Sequence, residues 1–227
     1  MTLFPARLVK GGLVQYDPTT GKVLKTIPLQ YNPDTLTRTL QVQASGETGI
    51  RSEALRLRGA AVETIKLEAE IDATERLEVP ERDAVALGLQ PELAALESLV
   101  QPKADDLQAN DALAGRGALE VLPLEAPLTV FVWSEQRALP VRVTELSITE
   151  EAFDIALNPI RAKVSLGLRV LSVDDLGFKH RGGELYMTYL RGREKLAART
   201  GASLEDIKKK GGANAPVAKQ QELQKKK

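Results

Sequence analysis

The sequence contains no cysteine and a single histidine, His180, among 227 residues. Without thiols there is no disulfide, no thiolate nucleophile and no sulfur-ligated zinc or iron–sulfur centre. With one imidazole, no two-histidine metal site forms within one chain. Net charge is missing as well, because 31 Lys and Arg offset 31 Asp and Glu. A chain without a net field has no general attraction for nucleic acid. No apolar run approaches the roughly 20 residues that a membrane-spanning helix needs. Residues 1–10 lack the apolar stretch of a secretory signal, so synthesis and assembly in the cytoplasm are expected. What is present is a hydrophobic content of 43%, enough for one large domain with appendages.

Residues 6–31 read as a long β-hairpin. Leu8, Leu13, Val14 and Tyr16 precede the break Asp17-Pro18-Thr19-Thr20-Gly21, and Val23, Leu24, Ile27, Leu29 and Tyr31 follow it. Pro18 presets φ for a turn and Gly21 tolerates φ > 0. Gly11-Gly12 suggests a bulge or a close backbone approach. The hairpin's length predicts an arm that projects beyond the subunit's own core. Residues 35–43 read as a short strand and 44–59 as a loop. In 63–72, Ile65, Leu67, Ala69 and Ile71 alternate with Thr64, Lys66, Glu68 and Glu70, the period of a half-buried strand. In 89–100 the spacing becomes helical, with Pro91 in the first turn and Leu93, Leu96 and Val100 on one face. Pro102 ends that helix, and 103–119 reads as a linker.

The second half predicts an antiparallel sheet. Leu128, Val130 and Val132 oppose Phe131 and Trp133. Both faces are apolar, so this strand should be covered on both sides, with Phe131 and Trp133 against the 91–100 helix. A turn at 134–137 leads to Leu139, Val141 and Val143. The phase slips before Leu146 and Ile148, which predicts a bulge near Thr144 and Glu145. Thr149-Glu150-Glu151 reads as a turn leading to Phe153 and Leu157, and Asn158-Pro159 as a break. Residues 162–170 alternate Val164, Leu166, Leu168 and Val170 with Lys163, Ser165, Gly167 and Arg169. Residues 184–199 form a helix that Gly201 terminates. Its Tyr186 and Tyr189 either dock a partner or pack within the domain. Beyond Ile207 the composition predicts disorder. The chain thus divides into a β domain with a hairpin arm (1–177), a C-terminal helix (178–200) and a flexible basic tail (201–227).

No catalytic constellation is legible. His180 lies in a basic turn with no nucleophile motif beside it. Glu68/Glu70 and Glu150/Glu151 read as solvated residues, and Asp174-Asp175 as a cap before the last helix. The glycine pairs lack the strand–loop–helix frame and the Lys-Ser/Thr of a phosphate loop. Lys208–Lys210 and Lys225–Lys227 read as a solubilising tail, since no aromatics interleave to stack bases. No catalytic residue, cofactor or metal is therefore assigned, and a non-enzymatic role is expected. A hydrolase, or a nucleic-acid binder acting through the tail, is the alternative.

The stretch Ile27-Pro28-Leu29-Gln30-Tyr31-Asn32-Pro33-Asp34-Thr35-Leu36-Thr37-Arg38 resembles a signature of contractile injection system tube-type proteins. Most of all it resembles the baseplate tube-initiator, or hub adaptor, of extracellular phage-tail-like systems. Val130-Phe131-Val132-Trp133, Leu139-Pro140-Val141-Arg142-Val143, Thr149–Asp154 and Leu157–Val164 follow in the same order. The resemblance covers roughly residues 10–196. It implies a tail-tube-like antiparallel barrel or sandwich with a flanking helix. It also implies a hexameric ring that joins the spike hub to the inner tube, touches other baseplate proteins and starts tube assembly. Many such initiators carry a C-terminal LysM module, in whose place this chain has its Lys/Gln-rich tail. The residues expected at assembly interfaces are Leu13, Val14, Tyr16, Val23, Tyr31, Asn32, Pro33, Asp34 and Arg38. Trp133, Arg142, Asn158, Pro159, Tyr186 and Tyr189 complete the set.

Overall fold

The computed structural model describes residues 10–17, 20–43, 57–74, 86–116 and 126–201. The fold is mainly β. Seven strands form one antiparallel sheet: β1 (Gly12–Tyr16), β2 (Val23–Pro28), β3 (Leu36–Gln41), β4 (Val62–Asp72), β5 (Leu128–Ser134), β6 (Arg137–Phe153) and β7 (Pro159–Val170). Their order is β2-β1-β5-β6-β7-β4-β3. The helices are α1 (Gln90–Glu97), α2 (Ala104–Gly115), the short α3 (Val173–Leu176) and α4 (Arg181–Ala197). By compactness the chain falls into two units, Met1–Tyr189 and Leu190–Lys227.

The sheet is rolled. A flat seven-stranded sheet would separate its outermost strands by about 29 Å, six spacings of about 4.8 Å. The eight-residue step from Pro28 to Leu36 spans at most about 28 Å fully extended. It is not free to extend, because Gln30 binds the backbone of Asp72 on β4 through both amide groups, at 2.7 and 2.9 Å. The edges therefore curl toward each other within one sheet whose outermost strands, β2 and β3, are not paired to each other. Cross-strand register puts one apolar set inside. Ile27 faces Leu13, Leu13 faces Phe131, and Phe131 faces Leu139. On the other wall Leu168, Leu166 and Val164 face Ile65, Leu67 and Ala69. All of these are buried.

Several local signals hold. The period-two stretch of β4 buries Ile65, Leu67 and Ala69, and that of β7 buries Val164, Leu166, Leu168 and Val170. The ladder between β6 and β7 slips between Val143 and Glu145, where the phase change places a bulge. Leu128, Val130 and Phe131 are buried on opposite faces of β5. Gly11 and Gly12 serve close approach: a Cβ on Gly12 would lie 2.7 Å from the Ile27 carbonyl oxygen, and one on Gly11 2.8 Å from the Trp133 ring. Trp133 stacks on Phe131, ring centroids 5.9 Å apart.

Other expectations need correction. The first hairpin does not project as a separate arm. β1 is an inner strand, paired with β2 on one edge and β5 on the other, and Leu13 is 1% exposed. Residues 103–119 are not all linker, because α2 occupies most of them without burying a residue. An exposed helix needs no apolar stripe, so hydrophobic spacing carries no sign of it. Thr149-Glu150-Glu151 is not a turn. β6 runs on to Phe153, and the reversal lies at 154–158. Residues 44–56 of the loop predicted at 44–59, and the tail beyond 201, lie outside the described residues.

Candidate functional site

Among the described residues, no three His, Asp or Glu side chains converge to hold a metal ion. His180 precedes α4, and its Nδ1 accepts the N–H of Gly182 at 3.1 Å. The imidazole thus satisfies an orphan donor of the first helical turn. Ser172 and Asp175 form a reciprocal capping box on α3.

Carboxylates on the outer sheet face pair with cations. Arg161 on β7 binds Asp72 at 2.9 Å and Glu70 at 3.6 Å. Lys163 binds Glu151 of β6 at 2.8 Å, and Arg169 binds Asp175 at 2.7 Å. The hydrogen bond to Glu151 holds the Lys163 ammonium above its usual range. That to Asp72 does the same for Arg161. The Thr74 hydroxyl and N–H hold the Asp72 carboxyl below the ordinary carboxylate range, with Arg161 adding to it. Exposed pairs of this kind are screened by solvent and add little to stability. Lys66, Glu68, Glu70, Arg161, Lys163 and Arg169 form a mixed-charge face.

The stretch 30–38 works as a strap between the two sheet edges. Gln30 holds Asp72, the Asn32 side-chain oxygen accepts the Gly11 N–H at 2.9 Å, and Arg38 reaches inward. Its Nε donates to Glu63 at 2.5 Å and its NH2 donates to the Tyr189 hydroxyl at 2.7 Å. Glu63 is 4% exposed, so this pair is largely out of water. The bond to Glu63 is the main reason the Arg38 guanidinium sits above its usual range. Burial pushes the Tyr186 phenol up. The first part of α4 lies across one end of the roll. Arg181 stacks over the Tyr16 ring at 5.2 Å, and Tyr186 and Tyr189 are buried farther along.

The fifteen residues expected at interfaces separate into four groups. Leu13, Pro159, Tyr186 and Tyr189 are interior to the subunit, so the two tyrosines pack within the domain. Arg38 is committed to Glu63 and Tyr189, Asn32 to Gly11, and Asn158 to Asp154. Val14, Tyr16, Pro33 and Trp133 are half-buried. Val23, Tyr31, Asp34 and Arg142 are exposed. The exposed members do not form one cluster, since Val23 lies on the β2 edge and Arg142 on β6.

Three apolar surfaces stand out. Val23 and Leu24 are exposed on edge strand β2, and Leu40 and Val42 on or just beyond edge strand β3. The third surface escaped the sequence reading. At the β6–β7 tip, Phe153 is 49% exposed, Leu157 77%, and Ile155 fully exposed. The tip is built, not slack. The Asp154 carboxylate accepts the N–H groups of Ala156 and Asn158, each at 2.8 Å, and the Asn158 side-chain amide at 2.9 Å. Those bonds, that of the Asn158 side chain first, hold its carboxyl below the ordinary range. The available signal was an Asp and an Asn-Pro bracketing apolar residues, a turn frame carrying side chains that turns seldom carry. Between α1, β2, β4 and β7 lies a cavity of ≈ 500 Å³, lined by Ile27, Leu29, Ala69, Ala95, Leu96 and Val164 among others, with the exposed Lys10 at its margin.

Among the described residues, no helix is long and apolar enough to cross a membrane. No protein-family description matches the chain, and no curated protein matches it.

Proposed function

We propose that the chain is a structural ring subunit of a phage-tail-like contractile injection system. It joins the spike hub to the inner tube and starts tube growth without enzymatic activity. The reading begins from the resemblance of residues 27–38 and of the segments that follow. The observation that carries it furthest is the location of the exposed apolar residues. Among them, Val23 and Leu24 lie on outermost strand β2, Leu40 on outermost strand β3, and Phe153, Ile155 and Leu157 at the β6–β7 tip. Outermost strands accept further strands from a neighbour, and apolar side chains beside them add area to such a contact. Six copies joined head to tail close a ring by heterologous contacts of this kind.

Tube growth is limited by its first ring, which gains few contacts for the freedom it loses. A ring whose upper face copies the tube edge and whose lower face fits the hub removes that barrier and sets where growth begins. The mixed-charge face of β4 and β7 suits the lumen or the surface between subunits. The test is removal of the chain from the producing cell. Tube and sheath proteins should still be made, with few spiked particles of defined length. Normal spiked particles in its absence would end this reading.

A further inference from the structure

We propose that residues 3–9, which join the described chain at Lys10, lie along the apolar cleft between α1, β2, β4 and β7 of their own subunit and cover it. The cleft has a closed floor and a wetted rim. Ile27, Leu29, Ala69 and Leu96 form the floor and are buried. Lys10, Thr26, Pro28 and Pro91 line it as well and are exposed, while Ala95 of α1 is half-buried. Apolar surface left open to water in this way favours a cover.

Where the uncovered stretch of chain attaches names the cover. Gly11 is held through both backbone groups. Its carbonyl accepts the Leu29 N–H at 2.8 Å, and its own N–H donates to Asn32 at 2.9 Å. The preceding residue, Lys10, therefore starts at the rim of the cleft, and residue 9 follows one Cα step of about 3.8 Å away. The sequence there suits the surface. Met1, Leu3, Phe4, Ala6, Leu8 and Val9 make six of the first nine residues apolar, against 43% of the whole chain. In extended backbone, Phe4, Ala6 and Leu8 fall on the side of Lys10, and Arg7 falls on the other.

Length and volume agree. The eight residues of α1 are about 12 Å long, and seven extended residues reach about 23 Å. An apolar cavity of about 150 Å³ takes up one benzene, so ≈ 500 Å³ takes roughly three groups of that bulk, which Phe4 and Leu8 with Ala6 between them largely fill. The tether decides between this segment and that of another copy. A segment joined without a linker meets its cleft at an effective concentration on the order of millimolar or more, which a separate chain does not match in dilute solution. Displacing the segment would bare an apolar surface beside edge strand β2.

The chain has no cysteine, which allows a direct test on the full-length protein. Phe4→Cys, Ala6→Cys and Leu8→Cys are each combined in one chain with Ala95→Cys in the cleft, and each with Thr39→Cys on the outer face of β3 as the reference. In dilute solution, at least one of the three should close an intrachain disulfide with position 95 at least ten times faster than any of them closes with position 39. Equal rates at the two positions overturn the proposal. The same cysteines placed on separate chains and mixed read the other source. Crosslinks to position 95 that form only between chains overturn the cover in its own subunit and give the cleft to a second copy's segment. Trypsin supplies a second reading without a cysteine, because Arg7 lies within the segment. Cleavage after Arg7 should be at least tenfold slower in the unaltered chain than in one carrying Phe4→Asp and Leu8→Asp. Equally fast cleavage in both counts against the cover.

Discussion

The hairpins β1–β2 and β6–β7 are built alike and used differently. Each reverses at a turn held by an aspartate: Asp17 accepts the Thr20 N–H, and Asp154 accepts three donors. In the first hairpin, β1 is bonded on both edges and Leu13 is sealed beneath Phe131. In the second, the end of the hairpin leaves the sheet and carries three large apolar side chains into water. A hairpin's length in sequence does not decide whether it is an arm. What decides is whether its strands find a second pairing partner.

The largest test of this contrast is deletion of residues 13–23. It removes most of β1 and the turn, opens the sheet at β5, and should abolish cooperative unfolding in a calorimeter. Retention of a sharp transition would return the first hairpin to the status of an arm. Next is Glu63→Ala, which strands Arg38 where the strap meets its second edge. Loss of one partner of a largely buried pair should cost about 3–5 kcal/mol in denaturant unfolding, and a loss under about 1 kcal/mol would show the pair to be solvated. Leu13→Ala should cost about 2–5 kcal/mol, against no more than about 0.5 kcal/mol for Ile155→Ser at the free tip. Equal costs would erase the distinction between the hairpins.

The smallest effect is on pH. The Asp154 carboxyl lies below its unfolded value, so its contribution is present above that value and is lost as pH falls through the depressed one. Amide exchange at 154–158 should accelerate in acid, below about pH 4, while exchange in β1 stays slow. The Asp154→Asn variant should show no such acid response, and an unchanged response in that variant would assign the proton to another group.

Much of the sheet was legible because its signals are local. β4 and β7 alternate within ten residues, and the bulge shows as a one-residue slip between Val143 and Leu146. The position of β1 was not legible, since its partner β5 lies more than a hundred residues away and no pattern in either strand names the other. The acidic pair Glu150-Glu151 has the composition of a turn. Its strand identity comes from β7, whose Ala162 and Arg161 it faces. Arg38, Glu63 and Tyr189 lie far apart in sequence, and no local pattern in it pairs them; only the fold brings them together. The tip was missed because the turn was placed at Thr149-Glu150-Glu151, ahead of Phe153, and not at 154–158, where the chain reverses.

The pairing of Gly12 with Val132 also sets an order in time. During synthesis, β1 leaves the ribosome 120 residues before its partner, a delay of about 6–24 s at 5–20 residues per second. Through that interval the first hairpin holds a bare edge and an uncovered Leu13. The β5–β6–β7 meander, made of near neighbours in sequence, closes soon after it emerges, and only then can the waiting hairpin dock. The strands that emerge farthest apart, β1 and β5, can thus pair only late in the making of this subunit, and a chaperone that shields β1 and β2 until then would act on that step.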